Sequence, residues 1–471
     1  MTLRSVSRVV TEYRSGNVFE KARAAFAESV EASFGAELVR DATRLSQSDM
    51  LPLRPIVRNL QDAGILLGIR QTGHMPDEPH MHAWSAQFAK DEAAGGSSAT
   101  SDPQALASAL AECLERHLWR YDTEHMQGLC WSTEQDMAKK RHLPISSFAG
   151  FSRAQRAQRS TAVPHDSAFA WVRGRCLKTN ARMYIPAQIT SSGKYLQEKR
   201  EPMLRPRITT GLATGPTREF ALLNGALEII ERDAFMIMWL NQLTCPRIAL
   251  DYLAHKSDEL SLLLQRMERY RLRADIIKLP TDAPAHVVCA VIRDDAPGGV
   301  PVVLGLGVHA RLSEAAAHAI REALRIRKNI RSSWRHLYSV DAIVPHRIKH
   351  FERAVYWTDT KRAARLAFLT NGVLEKPVQA MWEHDTKDEH LDRIVGWCTE
   401  RGYGCASVPL GISPKNPTPW HVEFVVIPEL QPLHINERFP CLGGARLTEI
   451  PKLFGYTPRE TPFAEEPHPF A

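Results

Sequence analysis

The sequence predicts an α+β fold: one large mixed domain over residues 66–471, preceded by a short helix-rich extension over residues 1–65. Two observations carry this. Segments with the 3.6-residue period of a packed helix are interspersed with segments of strand-like alternation, without strict strand–helix–strand order. The chain of 471 residues is also 44% hydrophobic and 24% charged, enough for one large core or two to three smaller ones.

Taken in order, Val18 to Val39 places Ala, Glu, Phe and Leu at helical spacing. Residues 91–102 are small and polar and read as a loop, and Pro103 suits the first turn of a helix running to about 120. Residues 167–190 alternate and read as strands. Ile208–Thr217 is a Thr/Gly-rich loop leading into a long helix to about Leu240. His286–Ile292 and Val300–Val308 are strand-like runs around an Asp-Asp-Ala-Pro-Gly-Gly turn, with a helix at about 313–330 after them. Residues 422–428 form another strand, and the segment from Thr457 is proline-rich.

Composition excludes several classes. No apolar run has the length of a membrane span, and Met1–Arg14 lacks the apolar core of a secretory signal. The eight cysteines are scattered and form no CxxC pair, which argues against a zinc site or disulfide framework and fits a reducing cytoplasm. The net charge of +7 comes with basic clusters at Arg153-Arg156-Arg159 and Arg325–Arg335. No nucleic-acid motif accompanies them, so solvated helix faces or phosphate contacts explain the charge better than DNA or RNA.

The chemistry is concentrated on three helices. Helix 217–240 is apolar around most of its circumference, yet Asn224, Glu228 and Glu231 fall at i, i+4, i+7 on one face. Carboxylates on a buried helix are costly unless cations meet them. Arg232 is one such cation, and a metal ion is another. Helix 103–120 repeats the stripe with Ser108, Glu112 and Glu115, followed by Arg116. Helix 313–330 offers Glu314, His318 and Glu322, with Arg325 beyond. A single Glu-x-x-Glu-Arg is ordinary on a solvated helix, but two copies, each one turn after a small polar residue, are not. Four converging carboxylates repel one another, and hard divalent cations such as Mg²⁺ relieve this, usually arriving with substrate phosphates. The loop Thr209-Thr210-Gly211-Leu212-Ala213-Thr214-Gly215 lacks the Gly-Lys-Ser/Thr ending of a P-loop, but its glycines and hydroxyls suit an approach to phosphate at a helix N-terminus.

Together these residues resemble a known family. The loop Thr209–Gly215, followed by Ala221-Leu-Leu-Asn-Gly-Ala-Leu-Glu228-Ile-Ile-Glu231-Arg232-Asp-Ala, is similar to the signature of YcaO proteins. Ser108-Ala-Leu-Ala-Glu112-Cys-Leu-Glu115-Arg116, Ala319-Ile-Arg-Glu322-Ala and the stretch from Ile427-Pro-Glu-Leu-Gln-Pro432 to Leu442-Gly-Gly-Ala-Arg446-Leu fit companion segments. The resemblance runs from about residue 66 to 471. It implies an α+β domain with internal pseudo-symmetry that binds ATP and Mg²⁺. Glu112, Glu115, Glu228 and Glu231 would hold the metal. Glu322, Arg116, Arg232, Asn224, His318, Thr210 and Gly211 would complete the nucleotide site.

The ending Pro467-His468-Pro469-Phe470-Ala471 resembles the proline-rich tail of azoline-forming members, the cyclodehydratases of thiazole/oxazole-modified microcin biosynthesis. There the tail enters the active site, which gives Pro467, Pro469 and Ala471 a catalytic part. The implied reaction converts Ser, Thr or Cys of a precursor peptide into an oxazoline or thiazoline by phosphorylating the backbone amide oxygen. The implied partners are a ubiquitin-activating-enzyme-like subunit that binds the leader peptide and a flavin-dependent azoline dehydrogenase.

The chain departs from the family pattern at Phe220, where Glu is frequent, at Arg325 and Arg327 in place of a Gln/Arg pair, at Gly95-Gly96-Ser97 in place of Gly-Lys-Gly, and at Ala471 in place of the last proline. The alternatives are a family enzyme that forms a thioamide or macroamidine, a non-catalytic peptide-binding scaffold, a nicotinamide site at Gly305-Leu-Gly307, and a metal site at His74, His80 and His82.

Overall fold

A computed structural model describes residues 48–73, 75–90, 92–121, 129–158, 160–192, 201–296, 299–334, 339–348, 351–376, 379–411, 416–461, 463–464 and 466–470. The helix expected at Val18–Val39 lies outside the described residues. Numbering every strand and the helices of eight residues or more, the order is α1 (Arg54–Asp62), β1 (Gly68–Gln71), β2 (His82–Ala89), β3 (Glu92–Ser98), α2 (Asp102–Tyr121), β4 (Cys130–Thr133), β5 (Ala168–Cys176), β6 (Arg182–Pro186), β7 (Leu212–Gly215), α3 (Arg218–Asn241), β8 (Arg247–Ile248), α4 (Asp258–Arg269), β9 (Arg273–Lys278), β10 (His286–Arg293), β11 (Val302–His309), α5 (Leu312–Asn329), β12 (Leu374–Glu375), α6 (Lys387–Glu400), β13 (Ala406–Leu410), β14 (His421–Val426) and α7 (Arg446–Leu453).

Three sheets organise the chain: β1-β2-β3; β4-β5-β13-β14-β7 with β6 on β5; and β11-β10-β9-β8-β12. The alternation of buried strands explains how they are layered. On β14, Val422, Phe424 and Val426 enter a core with α1, α2 and the first sheet, while Val425 enters a second core built around α3. On β10, Val287, Cys289 and Val291 face that same second core, while Val288, Ala290 and Ile292 face a third with α4 and α5. Helix α3 is therefore sandwiched between two sheets, which is why its sequence is apolar nearly all round. From Met50 through Leu60 the chain joins the first core, packed with Leu106 and Leu110 of α2.

The three chemistry-bearing helices form a ring. Each packs on the strand before it: α2 on β3, α3 on β7 and α5 on β11. Each also reaches the strand of another: α2 touches β7, α3 touches β11 and α5 touches β3. Small residues allow the close contact. A Cβ on Gly96 would lie 2.0 Å from the Ala105 carbonyl oxygen, and one on Gly305 would lie 2.1 Å from that of Ala319.

Several expectations change. The stretch expected as a loop at 91–102 holds strand β3, because its Ala, Gly and Ser residues are what the surface of α2 admits. The loop expected at 208–217 includes β7, which pairs with β14. Residues 187–190, expected as strand, form a short helix. The dinucleotide alternative fails on topology: Gly305 and Gly307 lie inside β11, an edge strand antiparallel to β10, rather than in a strand-to-helix turn. If the ring depends on this packing, Gly305→Val will lower unfolding free energy by about 3 kcal/mol in chemical denaturation.

Candidate active site

One local device occurs on all three helices. A backbone amide at the facing strand or turn donates to a helix glutamate: Gly95 N–H to Glu112 Oε2 at 3.2 Å, Gly211 N–H to Glu228 Oε2 at 3.0 Å, and Leu306 N–H to Glu322 Oε2 at 2.8 Å. An arginine three or four residues on meets the other carboxylate oxygen: Arg116 to Glu112 at 3.3 Å, Arg232 to Glu228 at 3.5 Å and Arg325 to Glu322 at 3.6 Å. The amide fixes each carboxylate, and the arginine offsets part of its charge.

On the first two helices a second glutamate follows. Burial pushes the Glu115 carboxyl up to about 8, helped by the charges of Glu112 and Glu228, with the Thr214 hydroxyl and Arg116 acting the other way. Burial also raises Glu231; Arg232, its hydrogen-bond partner, opposes this, while Glu322 and Glu228 add to it. Glu228 is raised by burial and by Glu322, against Arg232, the Gly211 amide and Arg116. Glutamates from all three helices thus share one electrostatic field. Five carboxylates face three arginines there, leaving an excess of negative charge in a poorly solvated place.

That surplus fits a divalent cation. Among the described residues no three His, Cys, Asp or Glu side chains close into an all-protein metal cage, which is the arrangement Mg²⁺ avoids: it keeps water and phosphate ligands beside one or two carboxylates. Among the described residues His80 and His82 join no cluster of three metal-ligating side chains, and His82 Nδ1 lies 3.1 Å from Asp102. His74 lies outside the described residues.

A polar cavity of about 220 Å³ opens beside the carboxylates, lined by Gly95, Ser97, Ser108, Glu231, His318, Arg321, Glu322 and Arg325. His318 is held neutral, with its pKa lowered to about 3 by burial and by Arg321 and His309. Arg325 occupies the position three residues after Glu322 that Glu115 and Glu231 occupy after their own glutamates, so the third helix presents a cation where the others present an acid. Ser97, Arg321 and the Leu306 amide were not legible as site residues.

The loop at 209–211 contacts the carboxylate helices directly. The Gly211 amide is engaged by Glu228, and Thr210 lines a separate cavity of about 10 Å³ with Arg205, Ile229 and Gln431. Thr209 accepts a hydrogen bond from Arg116 at 3.1 Å, and the N-terminus of α3 is capped by Thr217. Gly211 thus ties the loop to Glu228, and neither Thr210 nor Gly211 is among the residues lining the cavity of about 220 Å³. Asn224 sits half-buried one turn before Glu228. Phe220 stacks under Lys387 at 4.3 Å. Arg327, unlike Arg325, points away from the cavity into a buried pair with Glu78 and with Asp294 at 2.5 Å.

Two further segments complete the site. Asp233, next to Arg232, receives Arg446 at 2.6 Å, and Arg446 also meets Asp282 at 2.8 Å; all three are buried. The chain from Glu466 to Phe470 runs into the core. Trp357 Nε1 donates to the Pro467 carbonyl at 3.1 Å, His468 Nε2 lies 2.6 Å from the His434 carbonyl oxygen, and the ring of Phe470 lies under the Arg232 guanidinium at 4.3 Å. Pro467 and Pro469 are thus brought beside α3, while Ala471 lies outside the described residues.

The model of the family described as YcaO cyclodehydratase, ATP- and Mg²⁺-binding, matches residues 96–431. This chain belongs to the YcaO family. Its fold is similar to that of a heterocyclase in complex with substrate and cofactor, at a TM-score of 0.68 and 18% identity over 88% of this chain and 57% of that one. It is also similar to YcaO from Methanopyrus kandleri bound with AMPPCP and Mg²⁺, at a TM-score of 0.59 and 19% identity over 82% of this chain and 92% of that one. The E. coli microcin synthetase McbBCD complex matches at 0.58 and 14% identity over 77% and 88%. An uncharacterized protein of Methanothermobacter thermautotrophicus is 27% identical over 163 residues, 34% of this chain and 42% of that protein. The chain thus spans 57% of the heterocyclase and 42% of the Methanothermobacter protein. ATP and Mg²⁺ are the ligands of the YcaO family. No described helix is long and apolar enough to cross a membrane.

Two outcomes follow from the site. Arg446→Leu strands Asp233 in the core, while Asp282 keeps Arg401 at 2.7 Å, and lowers stability by about 3–5 kcal/mol in urea titration; adding Asp233→Asn recovers part of that loss. The second concerns pH. Glu115 ordinarily titrates at 4.5 and is raised to about 8 in the fold, so the nucleotide-free protein holds a proton that the unfolded chain releases. Its melting temperature falls as pH rises through that interval, and saturating Mg²⁺ with nucleotide flattens the slope.

Proposed function

We propose that this YcaO protein is an ATP-dependent peptide cyclodehydratase, converting Ser, Thr or Cys of a ribosomally made precursor into oxazolines or thiazolines. The observation that carries this reading is the seating of the 466–470 segment against Arg232 of the carboxylate site. A nucleotide site alone would suit any member of the family. A proline-flanked segment delivered to it suits the azoline-forming ones.

In this reading Glu112, Glu115, Glu228 and Glu231 hold Mg²⁺, with Glu322 nearby. Arg116 and Arg232 offset their charge. Arg325, with Ser97 and Ser108 across the cavity, meets phosphate oxygens, while neutral His318 lines the pocket and Asn224 supports Glu228 from one turn before it. Mg-ATP supplies an electrophilic phosphorus that turns the amide oxygen into a leaving group. The peptide's hydroxyl or thiol, giving up its proton to solvent, would add to the preceding carbonyl carbon. The resulting oxyanion would take the terminal phosphoryl group with release of ADP, and its departure as phosphate with loss of the amide proton would leave the C=N bond of the ring. The protein's share is positioning and charge neutralisation. Pro467, Pro469 and Ala471 would line the place where the peptide bond is presented.

A leader-binding subunit resembling a ubiquitin-activating enzyme and a flavin-dependent azoline dehydrogenase are the proposed partners, in a cytoplasmic multi-subunit complex. Related assemblies include the McbBCD complex with pro-MccB17 bound.

The test is mass spectrometry of a candidate precursor incubated with this protein, its partner subunits and Mg-ATP. Each ring lowers the mass by one water. Glu231→Gln keeps the side chain's shape and leaves Arg232 its contact with Glu228 at 3.5 Å; with native folding checked by circular dichroism, turnover falls by about 100-fold or more. Unimpaired cyclisation by that variant would remove Glu231 from the site.

A further inference from the structure

Phe470 is 4% exposed, and its ring lies beneath a guanidinium that already serves two carboxylates. Arg232 bonds Glu231 and reaches Glu228 at 3.5 Å, and on its remaining side it meets the ring at 4.3 Å. The ring is itself fixed. Phe235, less than one turn beyond Arg232 on α3, packs on Phe470 at 5.7 Å and edge-on to His468 at 5.8 Å. Trp357 and the His434 carbonyl hold the backbone and imidazole just upstream, and Arg353 reaches the His468 carbonyl at 3.5 Å.

We propose that Phe470 is a positioning residue for Arg232 and that, through it, seating of the 466–470 segment is coupled to Mg-nucleotide binding. The inference rests on the nucleotide reading above and adds a constraint to it. A guanidinium with two carboxylates in reach and nothing behind it collapses onto them and competes with a metal ion for the same oxygens. An aromatic face offers the cation a second favourable contact that does not consume a carboxylate, worth more in a dry site than at a surface. Stacking on Phe470 therefore fixes the plane of the Arg232 guanidinium, so that it bonds Glu231 and stays 3.5 Å from Glu228 without closing further on the oxygens a metal ion would use. Coupling of this kind is reciprocal: whatever seats the segment tightens nucleotide binding, and nucleotide seats the segment by the same factor.

The experiment measures Mg²⁺-ATP binding to the isolated full chain by calorimetry, with no precursor or partner needed. Phe470→Leu keeps apolar bulk but has no π face. It is expected to weaken Mg²⁺-ATP binding about three- to tenfold and to raise the Mg²⁺ concentration needed at fixed nucleotide, whereas Phe470→Trp restores both. Trp357→Phe, which loosens the segment three residues upstream, shifts affinity in the same direction. In the parent, Mg²⁺-ATP slows tryptic cleavage after Arg459, and in Phe470→Leu this protection shrinks. Unchanged affinity and unchanged protection in Phe470→Leu, with a parent that binds, overturn the coupling and leave the nucleotide reading intact. A parent that does not bind Mg²⁺-ATP overturns the nucleotide reading instead. Equal weakening by Leu and Trp means that bulk rather than the aromatic face matters, and it too overturns the proposal.

Discussion

Mutual repulsion of the glutamates is the constraint on which the rest of the structure depends. Like charges brought together out of water cost several kcal/mol each unless something answers them. The fold answers in three layers. Strand and turn amides donate to Glu112, Glu228 and Glu322. Arginines one helical turn away offset part of the charge. What remains shows as carboxyl groups raised above their ordinary range at Glu115 and Glu231, a remainder suited to a divalent cation. The helices cannot retreat from one another, because each is wedged between its own strand and the next helix's strand.

Rigidity behind the site matters as much as charge within it. Asp233 follows Arg232 directly, and its capture by Arg446 and the Gln431 amide locks the rotation of α3 from the rear. A small rotation would turn Glu228 away from the Gly211 amide and Arg232 away from Phe470. On the third helix the equivalent anchor is Arg327, buried between Glu78 and Asp294. Both anchors are ion pairs in the core, where they are poor sources of net stability but strong determinants of geometry.

Periodicity made the three helices legible. Their boundaries fall within a residue or two of the spans expected, and the polar stripe on α3 pointed to the site because a helix apolar all round has no ordinary use for Glu228 and Glu231. What was hidden depends on neighbours remote in sequence. Strand β3 has the composition of a loop, and only the surface of α2 pressed on Gly96 explains why small residues make a strand there. At the Thr210-Gly211 turn the sequence does not show that Glu228, 17 residues on, takes the Gly211 amide. Arg325 and Arg327 look alike in sequence, yet two residues along a helix reverse the facing, so one lines the cavity and the other is buried in ion pairs. Alternation of small residues opposite a helix rich in alanine, as in 92–98 against Ala105 and Ala109, is the signal that exposes β3.

The asymmetry of the ring gives it direction. Two helices end their stripe with an acid, at Glu115 and Glu231, and the third with Arg325. A ring of identical acidic stripes would bind cations from every side and orient nothing. With one position reversed, the acidic wall of α2 and α3 favours metal, while the α5 side, with Arg325 and Arg321, favours anionic oxygens across a cavity wide enough for phosphate groups. A metal-bound polyphosphate is then aligned by charge before any base-specific contact forms. Phe470 seats under Arg232 at the acidic side, where the function proposed above would bring the second reactant to the phosphate chain. Under that proposal, the direction of the phosphate chain follows from a single substitution of cation for acid within an otherwise repeated motif.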